Sequence, residues 1–252
     1  MFPNKFKPDG LYELIRVGKN NDGGYLVCKN SVLNSDALIS FGISDDFSFE
    51  ANFQDIKNVD IFAYDPTVNL NFFLKKFLHS LIKLKLLLFL KQFKNWIKFK
   101  SFFNRSNNKF FLKKIGKGGD VIYDYVPIEK IIDTDNKNQK FFFKIDIEGS
   151  EYRILDDLIK YMDKIEGLVI EFHNVDINMD RVLNFISKFE LRLIHIHANN
   201  WSTHGLNNIP TSIELSFSKK PYLLNKDVSF PHKLDQKNNP NIDEIELLFA
   251  NQ

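Results

Sequence analysis

Short apolar runs, rich in β-branched and aromatic residues, alternate along the chain with segments of helical periodicity. Seven runs have the length and composition of strands: 37–43, 59–65, 141–147, 167–173, 191–197, 212–217 and 245–249. Helical spacing is clearest at 48–57, 151–165 and 179–189. Strands that alternate with helices predict an α/β fold, with a mostly parallel sheet and helices on both faces. The last two runs have no helix between them, so we expect them to pair antiparallel at one edge.

The composition is typical of a folded globular protein. The chain has 252 residues, of which 44% are hydrophobic and 26% charged, and we predict a single domain over 1–252. One cysteine, Cys28, excludes an internal disulfide and fits a reducing compartment. The first residues lack the apolar stretch of a secretory signal, so the expected location is the cytoplasm.

The net charge of +2 hides a strong asymmetry. Between Pro66 and Gly119 the chain carries 13 Lys or Arg residues and no Asp or Glu, which leaves the remainder acidic. Apolar residues recur there at helical spacing, and lysines interrupt every run before it reaches the ~20 residues that span a bilayer. We therefore predict a basic helical insertion at about 67–119.

Two interpretations of this insertion remain open. It is a helical lid that packs on the core and leaves its lysines in water, which is the slightly favoured interpretation. Alternatively, residues 70–117 form a basic amphipathic surface in peripheral contact with an anionic membrane, such as the inner membrane face. Nucleic acid is not an expected partner, because the sequence has no recognised reader motif.

Acidic residues stand at the carboxyl ends of three predicted strands. The stretch KFFFKIDIEGSEYRIL ends an apolar run in Asp146 and Glu148. Gly42 follows the first run, and Asp65 ends the next. Open α/β sheets bind ligands at these ends, and an acid about 20 residues beyond a glycine turn is typical of ribose binding. A simple turn glycine with capping acids explains Gly42 and Asp65 equally well.

The dinucleotide fingerprint G-x-G-x-x-G is absent after the first strand. Gly42 is followed by Ile43 and Ser44, and then by Asp45 and Asp46, which would repel a pyrophosphate. A cationic nucleoside tolerates these acids, so the pattern favours such a ligand over a dinucleotide.

These stretches also resemble a known family. FFFKIDIEGSEYRIL resembles the K-I-D-x-E-G-x-E-x-x-x-L signature of FkbM-type S-adenosylmethionine-dependent methyltransferases, and FGISDDFSFE, IFAYDPT and RVGKNNDGGYLV are similar to other segments of that family. The resemblance implies a Rossmann-like methyltransferase fold, S-adenosylmethionine as the methyl donor and, usually, O-methylation. Carbohydrates are common acceptors in the family.

The resemblance also implies a set of donor-binding residues: Gly42, Ser44, Asp45, Glu50, Asp65, Asp120 and Asp146. The first four belong to the methionine portion of the donor. Asp65 would hold the ribose hydroxyls, Asp120 would approach the adenine, and Asp146 would lie between donor and acceptor.

The residues expected to bind the methyl acceptor come from other segments of the chain. The substrate-binding candidates are Asp22, Tyr25, Glu148, Asn199 and Asn200. The first two belong to NNDGGYLV, where Asp-Gly-Gly before an apolar run also predicts an ordinary hairpin turn. The others follow predicted strands.

Methyl transfer to a neutral hydroxyl requires that its proton be removed. A histidine near neutral pKa is the best side chain for this, and we predict His197 as the general base, with His173 as second choice and Asp146 orienting the acceptor. A divalent cation can instead lower the pKa of the hydroxyl. Asp146, Glu171 and His173 would then bind Mg²⁺ or Mn²⁺, an alternative that ranks slightly lower.

The sequence therefore predicts an O-methyltransferase that acts on a hydroxyl of a bacterial surface carbohydrate or its sugar-nucleotide precursor. Two other classes remain open. One is a non-catalytic membrane- or polyanion-binding protein on a methyltransferase scaffold, which the acids at three strand ends disfavour. The other is a nucleotide-dependent oxidoreductase, which the missing glycine fingerprint disfavours.

Overall fold

The computed structural model describes residues 1–117, 125–133 and 138–250. The strands in this part of the chain are β1 Leu11–Tyr12, β2 Leu14–Val17, β3 Tyr25–Cys28, β4 Ala37–Phe41, β5 Asp60–Tyr64, β6 Asn108–Phe111, β7 Lys114–Ile115, β8 Tyr125–Val126, β9 Phe141–Ile145, β10 Ile165–His173, β11 Arg192–Ala198, β12 Ser212–Ser218 and β13 Leu223–Asn225. The α-helices are α1 Lys29–Asn34, α2 Ser48–Ile56, α3 Leu70–Ile82, α4 Leu86–Phe103, α5 Ile128–Ile132, α6 Leu155–Lys160 and α7 Val175–Lys188.

Seven strands form a central sheet in the order β11-β12-β10-β9-β4-β5-β6. The pairs β9–β10, β4–β9, β4–β5 and β5–β6 are parallel, whereas β12 runs antiparallel between β10 and β11. The strand order reverses direction between β4 and β9, and the carboxyl ends of these two strands therefore form the place where an open sheet binds its ligand. The predicted α/β class, mostly parallel with surrounding helices, is confirmed.

Two details of the predicted sheet are wrong. The run at 212–217 is an internal strand rather than an edge strand, because β12 pairs with both β10 and β11. The run at 245–249 does not join the central sheet, and Phe249 makes only an isolated bridge to Phe2. A short apolar run suits a strand or an irregular segment equally, so its pairing partner is decided by tertiary packing.

The predicted insertion is helical over only part of its range. Helices α3 and α4 form a hairpin between β5 and β6, with Asn69 capping α3 by accepting a hydrogen bond from the Phe72 amide. Residues 108–111, which we expected to belong to the helical segment, form β6 and pair with β5. No helix among the described residues is long and apolar enough to cross a bilayer.

The central strand β9 shows how the sheet buries both of its faces. Its side chains alternate, so that Phe141 and Phe143 pack in the large cluster on one face, while Phe142 packs with Phe49 and Phe53 of α2 on the other. The Phe142 ring lies 5.1 Å from that of Phe53 and 6.3 Å from that of Phe49, centroid to centroid. Because both faces of this strand are buried, its sequence is a nearly continuous apolar run rather than an alternation of apolar and polar residues.

Replacing Phe142 with alanine is expected to lower the free energy of unfolding by about 3–5 kcal/mol, because the side chain is fully buried and its loss would leave a cavity between β9 and α2. Denaturant titration followed by circular dichroism measures the change. Leu33→Ala, at an exposed position of α1, is the control and should cost less than about 0.5 kcal/mol. If both variants lost the same free energy of unfolding, this description of the core would be contradicted.

Candidate active site

The first cavity lies over the carboxyl ends of the central strands. It has a volume of about 310 Å³, and Gly42 after β4, Asp65 after β5 and Asp146 after β9 all line it. Parallel strands bring these residues together because their carboxyl ends meet at one edge of the sheet.

Gly42 permits the closest backbone contact in this region. It has a φ of 73°, and a Cβ atom at this position would overlap the carbonyl oxygen of Asp146. The amide of Asp146 donates to the carbonyl of Phe41 at 3.0 Å, and Lys144 Nζ donates to the Gly42 carbonyl at 2.5 Å. The two central strands are therefore held together at the floor of the cavity.

Asp65 is buried and its carboxylate is fixed by neighbouring donors. Oδ2 accepts from the Ser44 amide at 2.9 Å, and Oδ1 accepts from the amide and hydroxyl of Thr67 at 2.7 and 2.6 Å. A carboxylate has about four acceptor positions, so roughly one remains for a ligand. A ribose that forms two hydrogen bonds with Asp65 must therefore displace one of the present donors.

A second cavity adjoins the first. It has a volume of about 360 Å³, and it is lined by Asp22, Glu171, His173, Asn199, Trp201, Ser202 and Ser212, together with Asp146 and Glu148. Asp146 and Glu148 line both cavities. These two carboxylates thus stand where a ligand in one cavity meets a ligand in the other.

Glu171 lies at the back of the second cavity and its carboxylate is well supplied with donors. Oε1 accepts from Asn199 Nδ2 at 2.8 Å and from the Ser212 hydroxyl at 2.7 Å, and Oε2 accepts from the Tyr25 hydroxyl at 3.3 Å. Burial, and then the nearby charges of Asp146 and other acids, raise the pKa of Glu171 well above its usual range. The same Tyr25 hydroxyl also reaches Asp146 Oδ2, at 3.3 Å.

His173 is oriented by a buried carboxylate behind it. Its Nδ1 lies 3.0 Å from Glu151 Oε1, while its Nε2 lies 3.5 Å from Glu148 and 3.6 Å from Glu171, towards the cavity. Burial alone would lower the pKa of His173, but the hydrogen bond to Glu151 and the charges of Glu171 and Glu151 outweigh it and raise the pKa to about 9. Glu151 thereby leaves Nε2 as the ring atom available to a ligand.

The structure changes the set of groups that suit a metal ion. One ligand atom each from Asp146, Glu148 and His173 lies within 4.8 Å of the others. The sequence instead predicted Glu171 as the third ligand beside Asp146 and His173. Three donors already occupy the Glu171 carboxylate, and Glu148 is the more accessible acid.

His197 does not occupy the position expected of a general base. It is buried outside the residues that line the two cavities, with Nδ1 3.3 Å from Glu214 and Nε2 3.3 Å from Glu244. Burial alone would lower the pKa of His197, but the two carboxylates outweigh it and raise the pKa to about 10. Both ring nitrogens thus face carboxylates rather than either cavity, so this geometry does not support His197 as the general base.

Three other sequence candidates also lie elsewhere. Asp45 faces the α3–α4 hairpin, where it pairs with Lys76 at 2.7 Å, and Glu50 is buried with a hydrogen bond from Ser40 of the central strand β4. Asn200 is buried and its amide donates to backbone carbonyls of the C-terminal segment, including that of Asn239 at 3.0 Å. None of the three is among the cavity-lining residues given above.

The remaining candidates divide as follows. Ser44 lines the first cavity, and Asp22 and Asn199 line the second, whereas Tyr25 is buried behind Asp146 with only its hydroxyl directed towards the site. Asp120 lies outside the described residues.

Sequence analysis missed several residues of the site: Thr67, Lys114, Tyr125, Lys144, Ser150, Glu151, Trp201, Ser202 and Ser212. Lys144 could have been found, because it precedes Asp146 by two residues on a strand and so faces the same side. Its Nζ lies 3.6 Å from Asp146 Oδ2. Glu151 resembled an ordinary acid in a first helical turn, and nothing in its spacing signals the contact with His173.

No protein-family profile matches the chain, and no curated protein sequence matches it. The solved structures that are similar to it include several methyltransferases. They include M. capricolum TrmK in complex with S-adenosyl-homocysteine, with 16% identity over 77% of this chain and 68% of that chain and a TM-score of 0.36. An rRNA methylase from Streptococcus thermophilus is 10% identical over 76% of this chain and 94% of that chain, with a TM-score of 0.38. The bifunctional kinase-methyltransferase WbdD is 10% identical over 78% of this chain but only 37% of its own, with a TM-score of 0.40.

The charge state of His197 leads to a prediction about stability. Its pKa rises from 6.5 to about 10 on folding, so the stabilisation from its ion pairs is fully present below about pH 6.5 and is lost as the pH rises through 10. We expect the free energy of unfolding to fall over this interval, measured by denaturant titration at a series of pH values. His197→Gln removes the titrating group and should show a flatter profile. Parallel profiles for the two proteins would exclude the buried ion pairs as the cause.

Proposed function

We propose that the chain is an S-adenosylmethionine-dependent methyltransferase that methylates a hydroxyl group of a bacterial surface carbohydrate or its sugar-nucleotide precursor. The observation that carries the proposal is the junction of two cavities at Asp146 and Glu148. A group-transfer enzyme needs two adjoining sites whose ligands meet at one point. The resemblance of the Asp146 segment to FkbM-type methyltransferases supports the same assignment.

The first cavity suits the donor. S-adenosylmethionine, when bound, supplies an activated methyl group on a positively charged sulfur. Asp65 has a remaining acceptor position for a ribose hydroxyl, and the amide of Ser44 is held beside it. Asp146 and Glu148 line the wall next to the second cavity and favour a cation there.

The second cavity suits the uncharged part of a carbohydrate. Its polar lining consists of carboxylates, amides and hydroxyls, such as Asp22, Asn199 and Ser202, which match the hydroxyl groups of a sugar. Trp201 is exposed at its edge and offers a flat apolar surface to a sugar ring. No Lys or Arg is among the residues given for this cavity, so a phosphate of a sugar nucleotide would have to lie outside it.

His173 is the general base that the geometry supports best. Its Nε2 faces the second cavity, and Glu151 at Nδ1 stabilises the imidazolium that forms when Nε2 takes the proton from the acceptor hydroxyl. Asp146, which pairs with Lys144 at 3.6 Å, orients the acceptor at the junction of the cavities. This assignment replaces His197 by the second histidine that the sequence indicated.

A metal-assisted variant of the reaction uses the same residues. Asp146, Glu148 and His173 suit Mg²⁺ or Mn²⁺, with water and the acceptor hydroxyl as further ligands. His173 would then be a ligand rather than a base, so chelation distinguishes the two mechanisms.

Removing the Asp65 carboxylate is expected to weaken S-adenosylmethionine binding at least tenfold, because a hydrogen bond to a charged group contributes about 1.5–3 kcal/mol. Isothermal titration calorimetry on Asp65→Ala measures the loss. Asp60→Ala, at the exposed start of the same strand, is the matched control and should bind like the unaltered protein. Unchanged affinity in Asp65→Ala would remove Asp65 from the donor site, and binding of NAD instead would overturn the proposed function.

The His173→Ala change is expected to lower kcat by about 10²–10⁴ while donor affinity stays nearly constant. Mass-spectrometric detection of methylated sugars and sugar nucleotides provides the assay. Because the base must be unprotonated, kcat of the unaltered protein should rise with pH up to about 9. Glu151→Gln removes the charge that raises this pKa, so its profile should shift to lower pH.

Two outcomes would change this mechanism. Full activity of His173→Ala would exclude the residue as base and as metal ligand. Loss of activity on chelation, restored by Mg²⁺ or Mn²⁺, would assign His173 to the metal instead.

A further inference from the structure

Aromatic side chains hold the α3–α4 hairpin together from the inside. The Phe77 ring lies 5.7 Å from that of Phe89 and 6.2 Å from that of Trp96, and the Phe73 ring lies 5.6 Å from that of Phe99. Phe73 and Phe99 are buried and join the hairpin to the rest of the protein. The hairpin therefore has a packed inner face that needs no further partner.

Aliphatic side chains cover the outer face of the same hairpin. The exposed ones are Leu70, Leu74, Leu78, Leu81 and Ile82 on α3, Leu84 in the turn, and Leu86, Leu87, Leu90 and Ile97 on α4. Most recur at intervals of three or four residues, so each helix presents them as a stripe. Packing on the core was the favoured interpretation of the sequence, and it does not account for this stripe.

The apolar surface is most concentrated at the hairpin tip, which we define as residues 81–87. Leu84 is 91% exposed, Leu87 85% and Ile82 72%. Lys83 and Lys85 stand between these residues and are also exposed. Contiguous apolar groups of this kind on a folded protein mark a contact surface.

Charge identifies what the surface contacts. No acid occurs between residues 66 and 119, and exposed lysines at 75, 83, 85, 91, 94 and 98 lie along the hairpin. Lys76 is different, because it pairs with Asp45. A second copy of this chain would bring two cationic faces together, and a nucleic acid would pair with the lysines but leave the leucines in water.

We propose that the hairpin tip inserts its leucines into an anionic phospholipid bilayer while the flanking lysines contact the lipid phosphates. An anionic bilayer offers both a hydrocarbon interior for the apolar residues and negative charge at the depth of the lysine ammonium groups. Neither helix is apolar enough to cross the membrane, so the contact is peripheral. The proposal does not depend on the proposed methyl transfer.

The hairpin is also joined to the rim of the first cavity. Helix α3 begins five residues after Asp65, and Asn95 of α4 donates to the backbone carbonyl of Asp45 at 2.8 Å. Binding at the tip would therefore hold the donor cavity close to a lipid surface.

Co-sedimentation with phospholipid vesicles tests the proposal on the full chain. We expect binding to vesicles that contain phosphatidylglycerol, little binding to pure phosphatidylcholine, and weaker binding as salt is added. Leu84→Asp combined with Leu87→Asp should reduce the bound fraction at least about tenfold, since two leucines that would enter the hydrocarbon of the bilayer are replaced by charges. Leu224→Asp combined with Ile177→Asp changes the charge equally at exposed positions elsewhere and is the matched control.

Each other result would overturn the proposal. Equal binding by the tip variant and the control would leave only a general charge effect. Absence of binding to anionic vesicles at low salt would exclude a membrane contact. If light scattering shows that the unaltered protein is a dimer and that only the tip variant is a monomer, the face would be assigned to a second copy. Calorimetry with S-adenosylmethionine on the same preparations reports the proposed enzyme function separately, because the tip variant should keep full donor affinity.

Discussion

The close approach of β4 and β9 at their carboxyl ends is the constraint on which the site depends. The backbone after β4 passes so near the Asp146 carbonyl that residue 42 has no room for a side chain. Lys144 strengthens the junction by donating to the Gly42 carbonyl and by lying 3.6 Å from Asp146 Oδ2. Because both cavities share Asp146, a shift of these strands would alter the two cavities together.

Two acid–imidazole groups, on the strands β10 and β11 that flank β12, differ in whether the ring reaches a cavity. In one, Glu151 holds His173 at Nδ1 and leaves Nε2 directed to a cavity. In the other, Glu214 and Glu244 occupy both nitrogens of His197. The chemistry of the residues is the same. Of these two groups, the first has a ring nitrogen directed to a cavity and the second does not.

The sequence alone predicted the central strands of the sheet correctly but was less accurate for the segments at its edges. Strands buried on both faces, such as β9, are long apolar runs bounded by turn residues, and this signal is local. The strand at 108–111 and the irregular segment at 245–249 were predicted incorrectly, because edge pairing depends on which backbone is available in space. The hairpin of α3 and α4 was predicted as helical, yet its exposed leucines became visible only once the aromatic residues had been placed inside it.

For the site, the sequence by itself determined which strand ends meet at the cavity. Asp65, Asp146 and Glu148 stand directly after apolar runs, and parallel pairing is enough to bring such positions to one edge. Only the tertiary structure shows that His173 lines a cavity and His197 does not, because both lie at or near the end of a strand and look alike in sequence. Their partners come from distant segments, Glu151 for one and Glu244 for the other, and a contact between distant segments leaves no periodic signal along the chain.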